Sequence, residues 1–346
     1  DFQQVQKLIA SDFSSSNYFG WSVDMDGDYL VVGASGVNDF GTSAGAVYIF
    51  KKDSTGTFNE LSKLMATGLS SYDSFGYSVS INAEYILVGA YADDDLGSAA
   101  GTAYIFKNDG NDNFNEIAQL FGDDTDAGDY FGYSVDIYGE YAVIGAIMDK
   151  SNEVGLFQNN LTGSAYIFKN DGSDSFNQIA KLYAEDTNSG SFGTSVAIEN
   201  NIIAIGDTFG ALNDSPHRAG GAVYVYNITS NNQVSKTAKL VPLDCDSHDL
   251  FGSSVDISGE YIVVGAEVNS WVDYGDDRNR YPGSAYLFKN NSEILKLEAS
   301  ESYIGDDYGT SIAIDDNTVV VGAPSNYYVA PEQTGHSYIF ELSSMR

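Results

Sequence analysis

Apolar and polar positions alternate over short segments of this chain, and the same arrangement returns six times. In "DYFGYSVDIYGEYAVIGA", residues 129–146, an alternating segment is followed by a small turn and then by a nearly continuous apolar segment. Alternation with a period of two predicts a β-strand, and continuous apolar runs of this length suit strands covered on both faces. We therefore predict a tight antiparallel hairpin in each repeat, packed between neighbouring sheets.

Each hairpin begins at an aromatic-glycine step and reaches a "GA" step after an interval that is the same in all six repeats. The first aromatics and the matching glycines are Phe19 and Gly33, Phe75 and Gly89, Phe131 and Gly145, Phe192 and Gly206, Phe251 and Gly265, and Tyr308 and Gly322. A third strand such as "GSAYIF" and a fourth such as "FNEIAQL" follow in each repeat. Four short strands in repeats longer than about 40 residues are typical of β-propellers.

The repeats cover the chain, so we predict a single all-β domain over residues 1–346. They start near residues 18, 74, 130, 191, 250 and 307. Mostly turn-forming pairs such as Asp26-Gly27 join the first two strands of each repeat, as expected of two-residue hairpins. The fold predicted is a six-bladed β-propeller of four-stranded antiparallel blades.

The amino-terminal segment has the pattern of a fourth strand without its blade. Phe2 stands as far before Phe19 as Phe58 stands before Phe75. The last repeat ends after its third strand, near residues 336–340. We predict that residues 2–8 supply the outer strand of the last blade, because closure of the ring removes both free sheet edges.

Charge narrows the classes of partner. The chain has 49 acidic and 16 basic residues and a formal net charge of −33. Nucleic acids and anionic membranes would be repelled over most of its surface, whereas cations and neutral ligands would not. No apolar run approaches the length of a membrane-spanning helix, so membrane insertion is not expected. Cys245 is the only cysteine, which excludes an internal disulfide.

The repeats resemble the FG-GAP family, whose best-known members form the propeller of integrin α subunits. The resemblance rests on the FG step, the GA step, their fixed spacing and the "G-x-A-Y-I-F" strand, and it covers essentially the whole chain. The pattern "ASDxxxxDxFGxSVxIxGxYxVVGA" is similar to the bacterial and protist branch of secreted and surface proteins. The resemblance implies extracellular adhesion and calcium binding. Integrin propellers have seven blades, so six blades are a departure.

Two kinds of acidic segment could hold calcium. The integrin-type loop lies between strands one and two, where residues 24–28 ("DMDGD") resemble a remnant of it, but so short a hairpin favours a turn with solvated acids. The connections from strand four to the next strand one are also acidic, and converging carboxylates suit a hard cation. The candidate ligands there are Asp123, Asp124, Asp126, Asp129, Asp244, Asp246 and Asp249. Such loops, like the acidic cluster at residues 93–95, also form Asx-turns that satisfy backbone amides.

Loop length varies on one side of the predicted blades only. The stretch from the GA glycine to the third-strand tyrosine is shortest in the first two repeats, as from Gly33 to Tyr48, and longest in the third and fifth, as from Gly145 to Tyr166. Variable loops on a constant scaffold are where binding is usually found, and in integrins this face meets the ligand. The predicted ligand-binding residues are His217, Arg218, Trp271, Tyr274, Arg278, Arg280, Tyr281, Tyr327 and Tyr328. The alternative is that these aromatics pack their own long loops.

We predict an extracellular recognition or adhesion module that binds a protein or a glycan at this face. Four sequons would permit glycosylation in a eukaryotic secretory route, at Asn160, Asn213, Asn227 and Asn290. Catalysis is not expected, because neither a nucleophile elbow nor a spacing of the histidines indicates an active site. Two alternatives stay open: a self-assembling subunit of a surface filament or matrix, and a secreted hydrolase or lyase with its site at the central channel.

Overall fold

The computed structural model describes residues 4–150, 162–184, 190–212, 215–244, 249–267, 283–300, 306–324 and 335–342. For residues 211, 212 and 215–219 it describes the backbone but not the side chains. The elements in these ranges are β-strands, arranged in six antiparallel sheets and one short two-stranded ladder. The predicted fold class is confirmed: the protein is an all-β, six-bladed β-propeller. No helix in the described ranges is long and apolar enough to cross a membrane.

The chain forms two compact units, residues 1–149 with 166–181 and residues 150–165 with 182–346. The first unit contains three blades, apart from the first two residues of β11 and the last residue of β12. The first blade is β1 (Val23–Asp26), β2 (Tyr29–Ala34), β3 (Ala46–Lys52) and β4 (Phe58–Leu64). The second is β5 (Ser78–Asn82), β6 (Tyr85–Ala90), β7 (Thr102–Asn108) and β8 (Phe114–Leu120). The third is β9 (Phe131–Tyr138), β10 (Tyr141–Ala146), β11 (Ser164–Asn170) and β12 (Phe176–Leu182).

The second unit contains the other three blades. The fourth is β13 (Phe192–Glu199), β14 (Ile202–Asp207), β17 (Ala222–Ile228) and β18 (Val234–Leu240), with the ladder β15 (Ala211–Leu212) and β16 (Ser215–Ala219) between its second and third strands. The fifth is β19 (Phe251–Ser258), β20 (Tyr261–Ala266), β21 (Ser284–Lys289) and β22 (Ser292–Leu297). The sixth is β23 (Ser311–Asp315), β24 (Thr318–Ala323) and β25 (His336–Glu341). In every blade the strands follow one another as an antiparallel meander.

The hairpin between the first two strands of a blade is centred one residue later than predicted. In the first blade Asp26 pairs with Tyr29, so Gly27 and Asp28 are the central residues. The first central residue has a positive φ, 58° at Gly27 and 52° at Ala83. A positive φ at this position matches the twist of the flanking strands. Glycine, asparagine or aspartate, which tolerate it, occupy this position in the other blades.

Successive blades meet where the two glycine steps touch. A Cβ atom added to Gly33 would lie 2.0 Å from the carbonyl oxygen of Gly76 in the next blade, so only glycine fits there. The Ser22 hydroxyl donates a hydrogen bond to the same oxygen at 2.9 Å. Equivalent bonds join Ser78 to Gly132, Ser195 to Gly252 and Ser254 to Gly309. The repeated serine of "FGxSV" therefore ties one blade to the next.

The core lies between neighbouring blades of each unit. Val31 and Ile49 of the first blade and Val79 of the second belong to one cluster of buried side chains. The aromatic ring of the FG step packs edge to face on the third-strand tyrosine of its own blade, with 5.5 Å between the centroids of Phe75 and Tyr104. The equivalent pairs are Phe19–Tyr48, Phe131–Tyr166, Phe192–Tyr224, Phe251–Tyr286 and Tyr308–Tyr338. Burial of these rings explains why both positions are aromatic in all six repeats.

The sixth blade has three strands within the described ranges, so the four-strand prediction does not hold for it there. Residues 4–10 form no β-strand. The Gln6 side-chain amide forms two hydrogen bonds with the Phe58 backbone, at 2.7 and 2.9 Å, and the Ser11 amide donates to Glu60 at 2.8 Å. A β-ladder requires regular backbone-to-backbone bonds, whereas side chains attach this segment to the first blade. Closure by residues 2–8 stays a prediction, as does the single domain.

Candidate recognition site

In each blade the loop between the second and third strands lies at one edge of the sheet, which we call the loop edge. The first strand begins at this edge and the second strand ends there. The residue after each FG step stands at this edge. In the first unit it is aromatic three times: Trp21 before β1, Tyr77 before β5 and Tyr133 within β9. Because these three blades repeat at a constant interval, the meander places the three rings at equivalent points of consecutive sheets.

The ring of Tyr77 contacts both of the others, and the three form the centre of a larger array. The centroids of Trp21 and Tyr77 are 5.5 Å apart, and those of Tyr77 and Tyr133 are 5.1 Å apart. Tyr18 extends the array beyond Trp21, at 6.2 Å. Tyr91, which follows β6, lies 4.5 Å from Tyr77. Tyr130 completes it at 5.4 Å from Tyr91. We call these six residues the aromatic strip.

The strip is exposed at one end and half-buried at the other. Tyr18 and Trp21 expose 61% and 56% of their surface, which is high for large aromatic side chains. The remaining four tyrosines are half-buried. Burial raises the pKa of Tyr77, and the neighbouring Tyr133 raises it further, so the Tyr77 hydroxyl stays protonated at neutral pH. The strip therefore offers ring faces and hydroxyl groups to a ligand.

The equivalent positions of the second unit are polar. The residue after the FG step is Thr194, Ser253 or Thr310 there. Glu267, which follows β20, occupies the position of Tyr91. Burial and, to a lesser extent, the negative charge of Asp307 raise the pKa of Glu267 to about 7, against the opposing effect of a hydrogen bond with Thr310. The blades of the two units thus share a scaffold but differ in chemistry at the loop edge.

The acidic connections predicted to bind calcium have side-chain partners in the structure. In the third blade, Asp124 accepts hydrogen bonds from the Tyr166 hydroxyl at 3.0 Å and from the Lys181 ammonium at 2.6 Å. Partial burial alone would raise the pKa of Asp124, but these bonds outweigh it and lower the pKa. Asp149 contacts the same two groups, at 2.8 and 2.7 Å. Asp124 therefore belongs to a tyrosine–carboxylate–lysine network.

The same network recurs in other blades. In the fifth, Asp244 accepts from Tyr286 at 3.0 Å and from Lys296 at 2.6 Å. In the first, Asp12 binds Tyr48 and Lys63, both at 2.6 Å. Burial keeps the hydroxyl groups of these third-strand tyrosines away from water, so each needs a hydrogen-bond acceptor within the protein. The carboxylate is that acceptor.

The other predicted metal ligands are divided among different roles. The carboxylate of Asp129 accepts the backbone amide of Asp126, three residues earlier, at 2.6 Å, and burial raises the pKa of Asp129 to about 6. The backbone amide of Asp123 donates to Gln178. Asp249 lies at the start of the fifth blade, and Asp246 lies outside the described residues. In the described ranges no three His, Cys, Asp or Glu side chains gather as a metal site. Calcium in these connections stays a prediction.

The acidic side chains at the position of the integrin-type loop have partners in the next blade. Asp24 accepts the backbone amide of Ile81 in the second blade at 2.7 Å, and burial raises its pKa despite that bond. Asp26 accepts the amide of Ala83 at 2.5 Å. Asp24 is thus half-buried, and its carboxylate links two blades instead of being fully solvated. The acidic cluster at residues 93–95 also serves the structure, since Asp93 accepts the Tyr104 hydroxyl at 2.7 Å.

Most predicted ligand-binding residues lie outside the part of the chain that the structure describes. They are Trp271, Tyr274, Arg278, Arg280, Tyr281, Tyr327 and Tyr328. His217 and Arg218 belong to β16, and their side chains lie outside the described set as well. Among the sequons, Asn227 and Asn290 are exposed, as glycosylation requires, and Asn160 and Asn213 are outside the described residues.

The aromatic strip was not predicted from the sequence. Its signal was present, because the residue after the FG step is Trp21, Tyr77 and Tyr133 in three consecutive repeats. The neighbouring aromatics Tyr18, Tyr91 and Tyr130 could not be grouped with them without the packing of the blades.

Four-stranded meanders tied to one another through paired glycine steps define a β-propeller. Comparison with protein families gives the same class: the FG-GAP repeat matches residues 2–50, 58–106, 114–168, 176–226, 234–288 and 292–340. The chain therefore belongs to the FG-GAP repeat family. No curated protein matches the chain. FG-GAP repeats typically occur in extracellular proteins, and an FG-GAP propeller is compatible with a protein-binding module.

Proposed function

We propose that this protein is an extracellular recognition or adhesion module that binds its ligand at the loop edge of the first three blades. The aromatic strip carries the proposal. Monomeric proteins rarely leave large aromatics this exposed and in mutual contact unless the surface binds something. Tryptophan and tyrosine are also the side chains that most often dominate binding energy at protein interfaces.

The arrangement of the scaffold supports recognition. The strip residues flank the glycine steps that tie one blade to the next, so rigid backbone positions them. A ligand that binds there loses little energy in ordering the protein, which favours affinity. The exposed sequons Asn227 and Asn290 lie at or beyond the end of a third strand, on the edge opposite the loop edge of their blades. Glycans there would leave the loop edges free.

Recognition is proposed ahead of catalysis because the acidic connections already serve the structure. Asp129 accepts the amide of Asp126 at 2.6 Å. Asp124 and Asp244 each bind a tyrosine hydroxyl and a lysine ammonium. The insertions of the fourth to sixth blades, with Trp271, remain a second proposed contact region. Their sequence places arginine and aromatic residues together in an otherwise acidic chain.

The proposal is tested with immobilised protein and three variants. A Tyr18→Asn, Trp21→Ala double variant removes the exposed end of the strip, and asparagine tolerates the positive φ of 53° at residue 18. Phe40→Ala is the matched control, because Phe40 is also 56% exposed and is not part of the strip. A Trp271→Ala, Arg278→Ala, Arg280→Ala variant examines the second region.

Each protein is presented with extracellular surface proteins and with a glycan array, and every captured ligand is retested in purified form. We expect the parent and Phe40→Ala to bind the same ligand and the double variant to lose at least several-fold in affinity. Equal binding by the double variant, with loss in the triple variant, would move the site to the fifth blade. A parent that retains no ligand from either source would contradict the proposed function.

A further inference from the structure

We propose that the aromatic strip binds a neutral polysaccharide chain lying along the first three blades. This inference rests on the proposed function and names the ligand class of the same site. Three properties of the strip lead to it: the rings extend over three blades, they belong to tyrosine and tryptophan, and the net charge of the chain is negative.

The rings extend over three consecutive blades. From Tyr18 through Trp21 and Tyr77 to Tyr133, successive centroids are 6.2, 5.5 and 5.1 Å apart. Tyr91 lies beside both Tyr77 and Tyr133, at 4.5 and 5.7 Å. Successive ring planes from Tyr18 to Tyr133 are inclined by 62°, 42° and 46°. An array of similar groups that spans several repeats suits an extended ligand with a repeating unit.

The side chains in the strip are those that stack on sugars. One face of a pyranose ring presents C–H groups, which pack on an aromatic ring face, while the hydroxyl groups around its rim need hydrogen-bond partners. The strip has the phenol groups of five tyrosines and the indole N–H of Trp21, which meet both needs. Exposed carboxylates lie nearby along the chain, with Asp94 shortly after Tyr91 and Asp126 shortly before Tyr130.

The charge of the protein selects among polysaccharides. With a net charge of −33, the surface repels anionic chains such as uronic-acid polymers. The same repulsion disfavours single-stranded nucleic acid, which also stacks on aromatic rings but needs a basic groove beside them. No lysine or arginine is a member of the strip. A neutral chain of hexose or pentose units therefore fits both the ring faces and the field around them.

Binding is measured by affinity gel electrophoresis and calorimetry with soluble β-glucan, α-glucan, mannan, galactomannan and xylan, and with alginate as the anionic comparison. The variants are Trp21→Ala, Tyr18→Asn, Tyr133→Phe and the control Phe40→Ala, each checked for an unchanged melting temperature. Tyr133→Phe keeps the ring and removes the hydroxyl.

We expect the parent to bind at least one neutral polysaccharide and not alginate. Trp21→Ala should weaken that binding roughly five- to tenfold, because loss of a stacking aromatic removes about one kcal/mol or more. Phe40→Ala should bind like the parent, and Tyr133→Phe should lose less affinity than Trp21→Ala, because it keeps its ring.

Two results would overturn the inference: no neutral polysaccharide binds the parent, or Trp21→Ala binds as well as the parent does. The proposed function is judged separately. If the parent binds a purified protein through Trp21 and binds no polysaccharide, recognition at the strip stands and its ligand is a protein instead.

Discussion

Lys181 supplies the positive charge in the tyrosine–carboxylate–lysine network of the third blade. Its ammonium lies 2.6 Å from Asp124 and 2.7 Å from Asp149, and 5.1 Å from the centre of the Tyr166 ring. The Asp149 side chain is only 4% exposed. A surface ion pair contributes about 0–1 kcal/mol, but a buried carboxylate that loses its cation is destabilising by about 3–5 kcal/mol. Since Asp124 is 36% exposed and water can solvate it, we expect Lys181→Gln to lower the free energy of unfolding by about 2–3 kcal/mol.

The second blade provides a natural comparison. It keeps the buried pair, Tyr104 and Asp93, but has Gln119 at the position of Lys181 and Gly68 at the position of Asp124. The double variant Lys181→Gln, Asp124→Gly reproduces that set. It should be more stable than Lys181→Gln alone, because one of the two uncompensated carboxylates is gone. We expect an interaction energy of about 1 kcal/mol or more between the two positions.

The assay is urea denaturation followed by circular dichroism for the parent, the two single variants and the double variant. It is run at pH 8 and pH 5. Burial raises the pKa of Asp129 to about 6, and Lys181 opposes that shift. Without the Lys181 ammonium, Asp129 in the folded protein binds its proton still more tightly. The loss of unfolding free energy caused by Lys181→Gln should therefore be larger at pH 8 than at pH 5. Additive effects in the cycle, or a loss below about 0.5 kcal/mol for Lys181→Gln, would refute the reasoning.

Three further predictions follow. Burial raises the pKa of Asp207 to about 7. Asp207 thus binds its proton more tightly in the folded protein than in the unfolded chain, so the free energy of unfolding should rise as pH falls from about 8 to 5. Asp207→Asn should flatten that rise in a thermal melt, and an unchanged profile would exclude Asp207 as the cause. Deletion of residues 1–12 removes the bonds to Phe58, Tyr48 and Lys63 and should lower stability by about 2–4 kcal/mol. A deletion that melts with the parent would show that this segment is dispensable. Calcium should raise the melting temperature relative to a chelator at matched ionic strength if the acidic connections bind it. An equal effect of magnesium would remove calcium specificity.

The number of blades, the order of strands and the blade boundaries were predictable from the sequence. The reason is that they depend on local geometry repeated along the chain. A tight hairpin between strands of fixed length sets the interval from Phe131 to Gly145, and every repeat has that same interval. Glycine is needed at both steps because two backbones touch there, so the motif records a contact even though its partner lies in another repeat. The hairpin centres were misplaced by one residue, because pairing register is set by the ladder.

The use of the acidic residues was decided by tertiary structure. Asp124 looked like a metal ligand in its own loop, yet it is bonded to Tyr166 and Lys181, 42 and 57 residues away. Asp24 looked solvated, yet it accepts an amide 57 residues away. Whether a carboxylate meets a cation, a hydroxyl or water depends on which side chains the packed blades bring within hydrogen-bonding distance of it. For the same reason, residues that the sequence places one repeat apart, such as Trp21 and Tyr77, become one binding surface only when consecutive blades stack.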